Sequence, residues 1–308
     1  MFEIIKNPKL NFIGARKITY VLSLFLVLNG LWSVYKVATG KAAMGLDFTG
    51  GTTIQAKFTK AVKVDDIRNI MLKNNFQQTV IQKIGEENDK TFLIRVGSRD
   101  LSGENASGRL KDMLKKETGD DSMTVLEENE IGPMVSGQLK QKALLAVFWA
   151  LVGILIYIWI RFQFKFAVAA TIATLHDVLA VLGFMVLFNK EIDLLVITSL
   201  LTIAGYSLTD TVVVFDRIRE NMRHILKTSF FDLVNISINE VLSRTIITSF
   251  TTFSVAVSLF LFGGNVLHTF SLALVIGIVV GTYSSDFLAS PLIVDWEQWE
   301  EKQKHMAR

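Results

Sequence analysis

Ile192–Asn221, IDLLVITSLLTIAGYSLTDTVVVFDRIREN, is apolar over a length that crosses a bilayer, yet it holds Asp210 well inside. A carboxylate at that depth costs about 2.5–3.5 kcal/mol on insertion scales, so it faces protein, water or an ion path rather than lipid. On a helix turning about 100° per residue, Ser199, Thr202, Tyr206, Asp210 and Arg217 fall in one arc of about 80°, with Thr198, Gly205, Thr209 and Asp216 beside it. That polar face is expected to pack inward against other helices or a wet crevice. Asp210 lies about 25 Å along the helix from its outer end, in the inner third of the membrane.

The rest of the chain agrees. Half of the 308 residues are hydrophobic and the mean hydropathy is +0.40. Six spans of about 20 residues follow, at 18–38, 142–160, 166–188, 193–215, 245–263 and 266–291. A net charge of +3 is small, and the basic residues gather beside apolar segments, so they speak to membrane orientation and not to nucleic acid. Without cysteine there are no disulfides, thiolate metal sites or cysteine nucleophiles. Lys6, Lys9, Arg16 and Lys17 precede the first span, Arg161 and Lys165 lie between the second and third, and Arg217, Arg219, Arg223 and Lys227 lie between the fourth and fifth. The opposite connections are nearly free of basic residues, so residues 1–17, the loop 217–244 and the tail 292–308 are expected in the cytoplasm. The first span is too long for a signal-peptide core and lacks a convincing cleavage site, so it reads as an uncleaved anchor.

The segment 39–141 is polar and is expected outside the cytoplasmic membrane. TTIQAKFT (52–59) alternates like a strand, VDDIRNIMLKNN (64–75) is spaced like a helix, and TVIQKIGEEN (79–88) and KTFLIRVGS (90–98) are two more strands. ENASGRLKDMLKKETG (104–119) is a second helix and SMTVLEENEIG (122–132) a closing strand. The order βαββαβ is that of a ferredoxin-like α+β domain, with Asn88 and Asp89 suited to its hairpin turn. The predicted fold is therefore an all-α six-helix transmembrane bundle carrying an inserted ferredoxin-like extracytoplasmic domain. Gly50 and Gly51 read as a tight turn at the start of that domain, since a phosphate loop would need a following lysine. SFFDLVNISINEVL (229–242) is amphipathic, with Ser229 and Asp232 at its start; it reads as a helix along the inner membrane surface or as a helical connector.

Other polar residues stand inside the spans. Arg244, Thr248, Thr251 and Ser258 share a face of the fifth, with Arg244 at about the depth of Asp210; antiparallel packing permits a carboxylate–guanidinium pair, while the alternative is a static or snorkelling arginine. Asp177 is near mid-membrane in the third span among Ala170, Ala173, Thr174 and Ala180, and reads either as a second proton-carrying acid or as a hydrogen-bonding link to another helix. His176 lies on a different face. Asp216 and Arg217 sit near the inner boundary and read as anchors. Gly277, Gly281 and Ser285 recur every four residues in the sixth span and favour tight helix contact, with Asp286 assigned to packing.

Several stretches together carry a family resemblance: GLDFTGG (Gly45–Gly51), IGP (Ile131–Pro133), TLHDV (Thr174–Val178), GYSLTDTVVVFDRIREN (Gly205–Asn221), SRTIITSFTT (Ser243–Thr252) and GTYSSDFLASP (Gly281–Pro291). In this order, over nearly the whole chain, they resemble the SecF family of bacterial protein-export subunits, relatives of the RND transporters. The resemblance implies action with SecD, often YajC, beside the SecYEG channel of the inner membrane, where the proton-motive force drives a late step in translocation of a preprotein, with protons in place of any cofactor. It also implies that Asp210 and Arg244, at the acid of the NDTVVVFDR motif and the arginine of the SRT motif, belong to a proton route. Thr209 stands where that motif has Asn; with neighbouring Thr211, it is a candidate for supporting the acid by hydrogen bonding. Three other classes fit parts of the pattern: a proton-driven exporter of small molecules or lipids, an intramembrane aspartyl protease using Asp177 and Asp210, and a scaffolding subunit. No GxGD motif surrounds either acid.

Overall fold

A computed structural model describes residues 9–76, 79–84, 90–97, 106–225 and 228–306. The chain divides into two compact units, one of Met1–Ala43 with Ala146–Arg308 and a smaller one of Met44–Leu145. After the first long helix, α1 (Arg16–Ala38), come a single helical turn α2 (Leu46–Thr49), β1 (Gly51–Lys57), α3 (Val64–Lys73), β2 (Thr79–Ile84), β3 (Thr91–Gly97), α4 (Ala106–Thr118) and β4 (Thr124–Ile131). The remainder is helical: α5 (Pro133–Arg161), α6 (Phe164–Leu187), α7 (Leu194–His224), α8 (Phe230–Phe262), α9 (Gly264–Ser284), a π-turn (Ser285–Ala289) and α10 (Ser290–Met306).

The smaller unit is the expected ferredoxin-like sandwich. Its sheet has the order β2-β3-β1-β4, all antiparallel, with β1 central between β3 and β4. Alternation explains the layers: Ile54 and Ala56 of β1 and Phe92, Ile94 and Val96 of β3 turn to one face, where Ile67 and Met71 of α3 and Leu110 and Leu114 of α4 cover them. β4, an edge strand, is largely exposed and carries Glu127, Glu128 and Glu130, charges that discourage further edge pairing. Gly50 and Gly51 have φ of 66° and 133°, a backbone that L side chains rarely adopt, so the glycine pair sets the entry to β1. Asp120, buried after α4, accepts from the Thr59 amide at 2.7 Å, the Thr59 hydroxyl at 2.5 Å and the Lys60 amide at 3.0 Å, tying the end of β1 to the α4–β4 connection. The turn residues Asn88 and Asp89 lie outside the described residues.

The larger unit supplies the membrane helices. Among the described residues six helices are long and apolar enough to span a bilayer, and the chain is a multi-pass membrane protein. α6 packs on α1, α7 and α9, and α7 packs on α8 and α9. Small residues permit these crossings. A Cβ on Gly30 of α1 would lie 2.5 Å from the Leu179 carbonyl oxygen of α6, and one on Gly277 of α9 would lie 2.2 Å from Ile203 Cδ1 of α7. Ala170, Ala173 and Ala180 of α6 are fully buried, as close packing in lipid requires. α5 is largely uncovered within the chain.

Two details depart from the sequence reading. The amphipathic stretch 229–242 and the fifth span are not separate: α8 runs unbroken from Phe230 to Phe262, its start capped by the Ser229 hydroxyl accepting from the Asp232 amide at 3.1 Å. The stretch's outer polar side also holds the amino-terminal segment. Asn239 exchanges hydrogen bonds with the backbone of Leu10 at 3.0 and 2.9 Å, and Asn235 accepts from the Ile13 amide at 3.2 Å while donating to Asn11 at 3.0 Å.

Candidate functional site

α7, α8 and α9 bring three spans' polar residues together. Asp210 on α7 is 4% exposed. Its Oδ2 accepts a long hydrogen bond, 3.5 Å, from the Ser249 hydroxyl of α8. Ser249 is a junction: its oxygen accepts from Tyr206 Oη of α7 at 3.1 Å and from Thr282 Oγ1 of α9 at 2.8 Å. The two donors saturate the serine's lone pairs, which leaves its own proton for Asp210. Tyr206 and Asp210 are one turn apart on α7, and so meet the same α8 residue.

Arg244 stands five residues before Ser249 on the same helix and is exposed on this chain. Among the described residues no carboxylate lies within 4.0 Å of its guanidinium. Acid and arginine thus stand on two helices that Ser249 ties together, without a direct ion pair. Thr209 points away: it is exposed and its hydroxyl donates to its own helix at Gly205 O, 3.0 Å. Thr211 faces inward, donating to Ser207 O at 3.1 Å and lying 3.0 Å from Ser285 Oγ.

Asp177 occupies a different, wholly buried position, with 0% exposure. It accepts from Ser284 Oγ at 2.6 Å, from the Ser207 hydroxyl, and bonds His176 Nδ1 at 2.8 Å. One carboxyl of α6 therefore clamps α7 and α9 at the level where Gly281 admits Ser207. His176 is 2% exposed and its Nε2 has no hydrogen-bond partner. Asp177 and Asp210 have no hydrogen-bonding partner in common, Ser207 and Ser284 serving one and Ser249 the other.

Asp216 and Arg217 do not pair with each other. Asp216 binds Arg161 at 2.6 Å, and Arg217 binds Glu240 of α8 and Glu220 at 2.7 Å each, so they fasten the C-terminal ends of α5 and α7 to the N-terminal half of α8. Asn221 adds a bond to Glu240 at 2.7 Å.

The polar face of α7 is divided. Ser199 and Asp210 are buried, as expected of an inward face, but Thr198, Thr202, Gly205 and Thr209 are exposed, beside exposed Arg244, Thr248, Thr251, Ser254 and Ser258 of α8. The threonine and serine hydroxyls among them donate to carbonyls of their own helix, which lowers the cost of such a face without removing it. The expectation that the whole arc packs inward is thus met along only one edge, because among the described residues no neighbour covers the other.

Residues 110–299 match the model of the family described as protein export membrane protein SecD/SecF, C-terminal, and residues 44–62 match the SecD/SecF GG motif. The chain is 44% identical to the protein translocase subunit SecF of Thermodesulfovibrio yellowstonii, over 96% of this chain and 97% of that protein. It is 41% identical to the SecF of Calditerrivibrio nitroreducens, over 94% and 95%. Among solved structures it is similar to SecDF of Thermus thermophilus, a translocon-associated membrane protein, with TM-score 0.82 and 36% identity over 95% of this chain. It also matches SecDF in a super-membrane-facing form, with TM-score 0.72 and 32% identity over its whole length. The chain spans 39% and 41% of those two SecDF chains. Motif by motif and helix by helix, this chain belongs to the SecD/SecF family of protein-export membrane proteins.

Proposed function

We propose that this chain is the SecF-type half of a bacterial inner-membrane export machine, working with a SecD partner at the SecYEG channel, with YajC as an accessory subunit, and using the proton-motive force to assist a late step in preprotein translocation. The observation that carries the reading is Asp210: a carboxyl buried inside a span, held by one long hydrogen bond from α8, the helix that also carries Arg244. Burial favours the proton-bound acid and an approaching guanidinium favours the ionised one. A displacement of α8 along α7 thereby couples proton loading to helix position.

Asp177 serves as the link that makes α6, α7 and α9 respond together, with His176 its orienting neighbour, since its carboxyl is consumed by hydrogen bonds to all three. The half-exposed polar face of α7 and α8 is the surface that fits a partner's polar helices, SecD in this reading, and Thr209 would then find its partner across that boundary. Both termini lie in the cytoplasm, and residues 39–141 lie outside, where their sandwich holds emerging polypeptide. Gradient-driven export by the complete assembly, with Asp210→Asn beside the parent chain, tests this. Loss of gradient dependence in a correctly inserted variant is expected; unchanged export refutes proton carriage, and a small-molecule flux in its place favours an exporter.

A further inference from the structure

α9 does not run straight into α10. Ser285–Ala289 form one π-turn, a widened turn found mostly where a function needs a side chain re-aimed; Ser290 Oγ stabilises it by donating to Ser285 O, five residues back, at 3.1 Å. The turn carries Asp286. Its carboxyl is 3% exposed, and its Oδ1 has no hydrogen-bond partner among the described residues. No basic group among them lies within 4.0 Å of it either. An ionised carboxylate so placed has nothing to offset its desolvation.

Its surroundings lead to Asp210 from two sides. Ser285, the residue before Asp286, is hydrogen-bonded to Thr211, the residue after Asp210, at 3.0 Å. Thr282, one turn before Asp286, donates to Ser249, which donates to Asp210. The elements packed on the π-turn are α1, α6, α7, α9 and α10. Among the titratable groups of these elements, Arg16 and Tyr20 are both engaged with Asp295 of α10 at 3.2 and 2.8 Å, Tyr283 of α9 is bonded to Thr19 O at 2.8 Å, His176 and Asp177 are bonded to each other, and Asp210 accepts from Ser249. Of these, Asp210 is the group to which both hydrogen-bonded connections lead.

We propose that Asp286 is a proton-holding carboxyl paired with Asp210, the two acids together carrying at most one negative charge at working pH. A proton leaving the Asp286 carboxyl for the Asp210 carboxylate leaves Asp286 ionised and Asp210 neutral; charge moves between helices and none is created. The inference rests on Asp210 being a proton carrier and extends that role to a second acid on α9.

The test uses the complete assembly in vesicles, with infrared difference spectra and the pH profile of gradient-driven export recorded for the parent, Asp286→Asn and Asp286→Glu. The pairing predicts that Asp286→Asn loses one protonated-carboxyl band and moves the acid limb of the profile toward acid by about one pH unit, as expected when a like-charged neighbour is removed. Asp286→Glu should restore both. A residue that only fills space would leave spectrum and profile unchanged in Asp286→Asn, and that result overturns the pairing while Asp210→Asn still abolishes export. A lost band with an unmoved profile also overturns it, since the acid would then be protonated but uncoupled. Gradient-driven export that survives Asp210→Asn sinks the underlying reading and the pairing with it. If Asp286→Asn does not assemble, the glutamate variant decides alone: a retained protonated-carboxyl band with the parent profile supports the pairing, and a lost band overturns it.

Discussion

Gly277→Ala is predicted to force α7 and α9 apart. The added Cβ would sit 2.2 Å from Ile203 Cδ1, 2.4 Å from Cγ1 and 2.9 Å from Cγ2, where carbon atoms at rest keep about 3.5–4.0 Å. Ile203 is 1% exposed and cannot swing into open space. One turn on, a Cβ at Gly281 already stands only 3.0 Å from Ser207 Cβ, so the seam has no slack there. Helix separation of about 1 Å, or an off-rotamer isoleucine, puts the cost at about 1–3 kcal/mol. The displacement runs through Ser207 and Ser284 into the Asp177 clamp and through Thr282 into the Ser249 junction. A double-mutant cycle with Ile203→Ala, read by reversible unfolding in micelles, isolates the contact. Ile203→Ala alone opens a cavity at a cost of about 2–5 kcal/mol. In that background Gly277→Ala should be close to neutral, because the atoms it strikes are gone. An equal penalty in both backgrounds would refute the close crossing.

Two further outcomes follow from the same geometry. Asp177→Ala removes two interhelical hydrogen bonds, from Ser207 and Ser284, together with the bond to His176 on its own helix; interhelical bonds in membranes average about 0.6 kcal/mol with a maximum near 1.7, so unfolding in micelles should show a loss of about 1–3 kcal/mol, and a loss within error of zero would dismiss the clamp. In the smaller unit the Thr59 hydroxyl, then the Lys60 amide, holds the Asp120 carboxyl below its ordinary 3.8. A carboxyl lowered in the folded state contributes stability above about pH 4 that fades as pH falls through its folded value. Hydrogen exchange at the Thr59 and Lys60 amides should therefore quicken below about pH 4 in the parent and lose this pH dependence in Asp120→Asn; identical profiles would contradict it.

Much of this was legible in the sequence because hydropathy and periodicity are local. Six apolar lengths announced the spans, and alternation at residues 52–59 and 90–98 announced the strands that became β1 and β3. What escaped depends on partners distant in sequence. Nothing in 229–262 shows that one helix runs through Ser243 and Arg244 into the membrane, since polar residues there fit a boundary equally well. The Asn235 and Asn239 hold on residues 10–13 joins positions more than 200 apart. The π-turn is a hydrogen-bonding pattern with no hydropathy signature, so nothing local in the sequence separates Asp286 from a packing residue. An arc of polar residues on α7 marks a candidate face but not which edge of it this chain covers. Asp210 and Arg244 were legible because charge inside an apolar run is costly wherever it points; Ser249, which joins Asp210 to Tyr206 and Thr282, was one hydroxyl among many.

The central claim is that Asp210 carries the proton whose movement drives export. Its most direct measurement is preprotein transport into vesicles holding the complete assembly, with and without an imposed pH gradient, for the parent, Asp210→Asn and Arg244→Met. The account predicts that both variants insert and keep gradient-independent transport while losing the gradient's stimulation. Full stimulation in Asp210→Asn would contradict it.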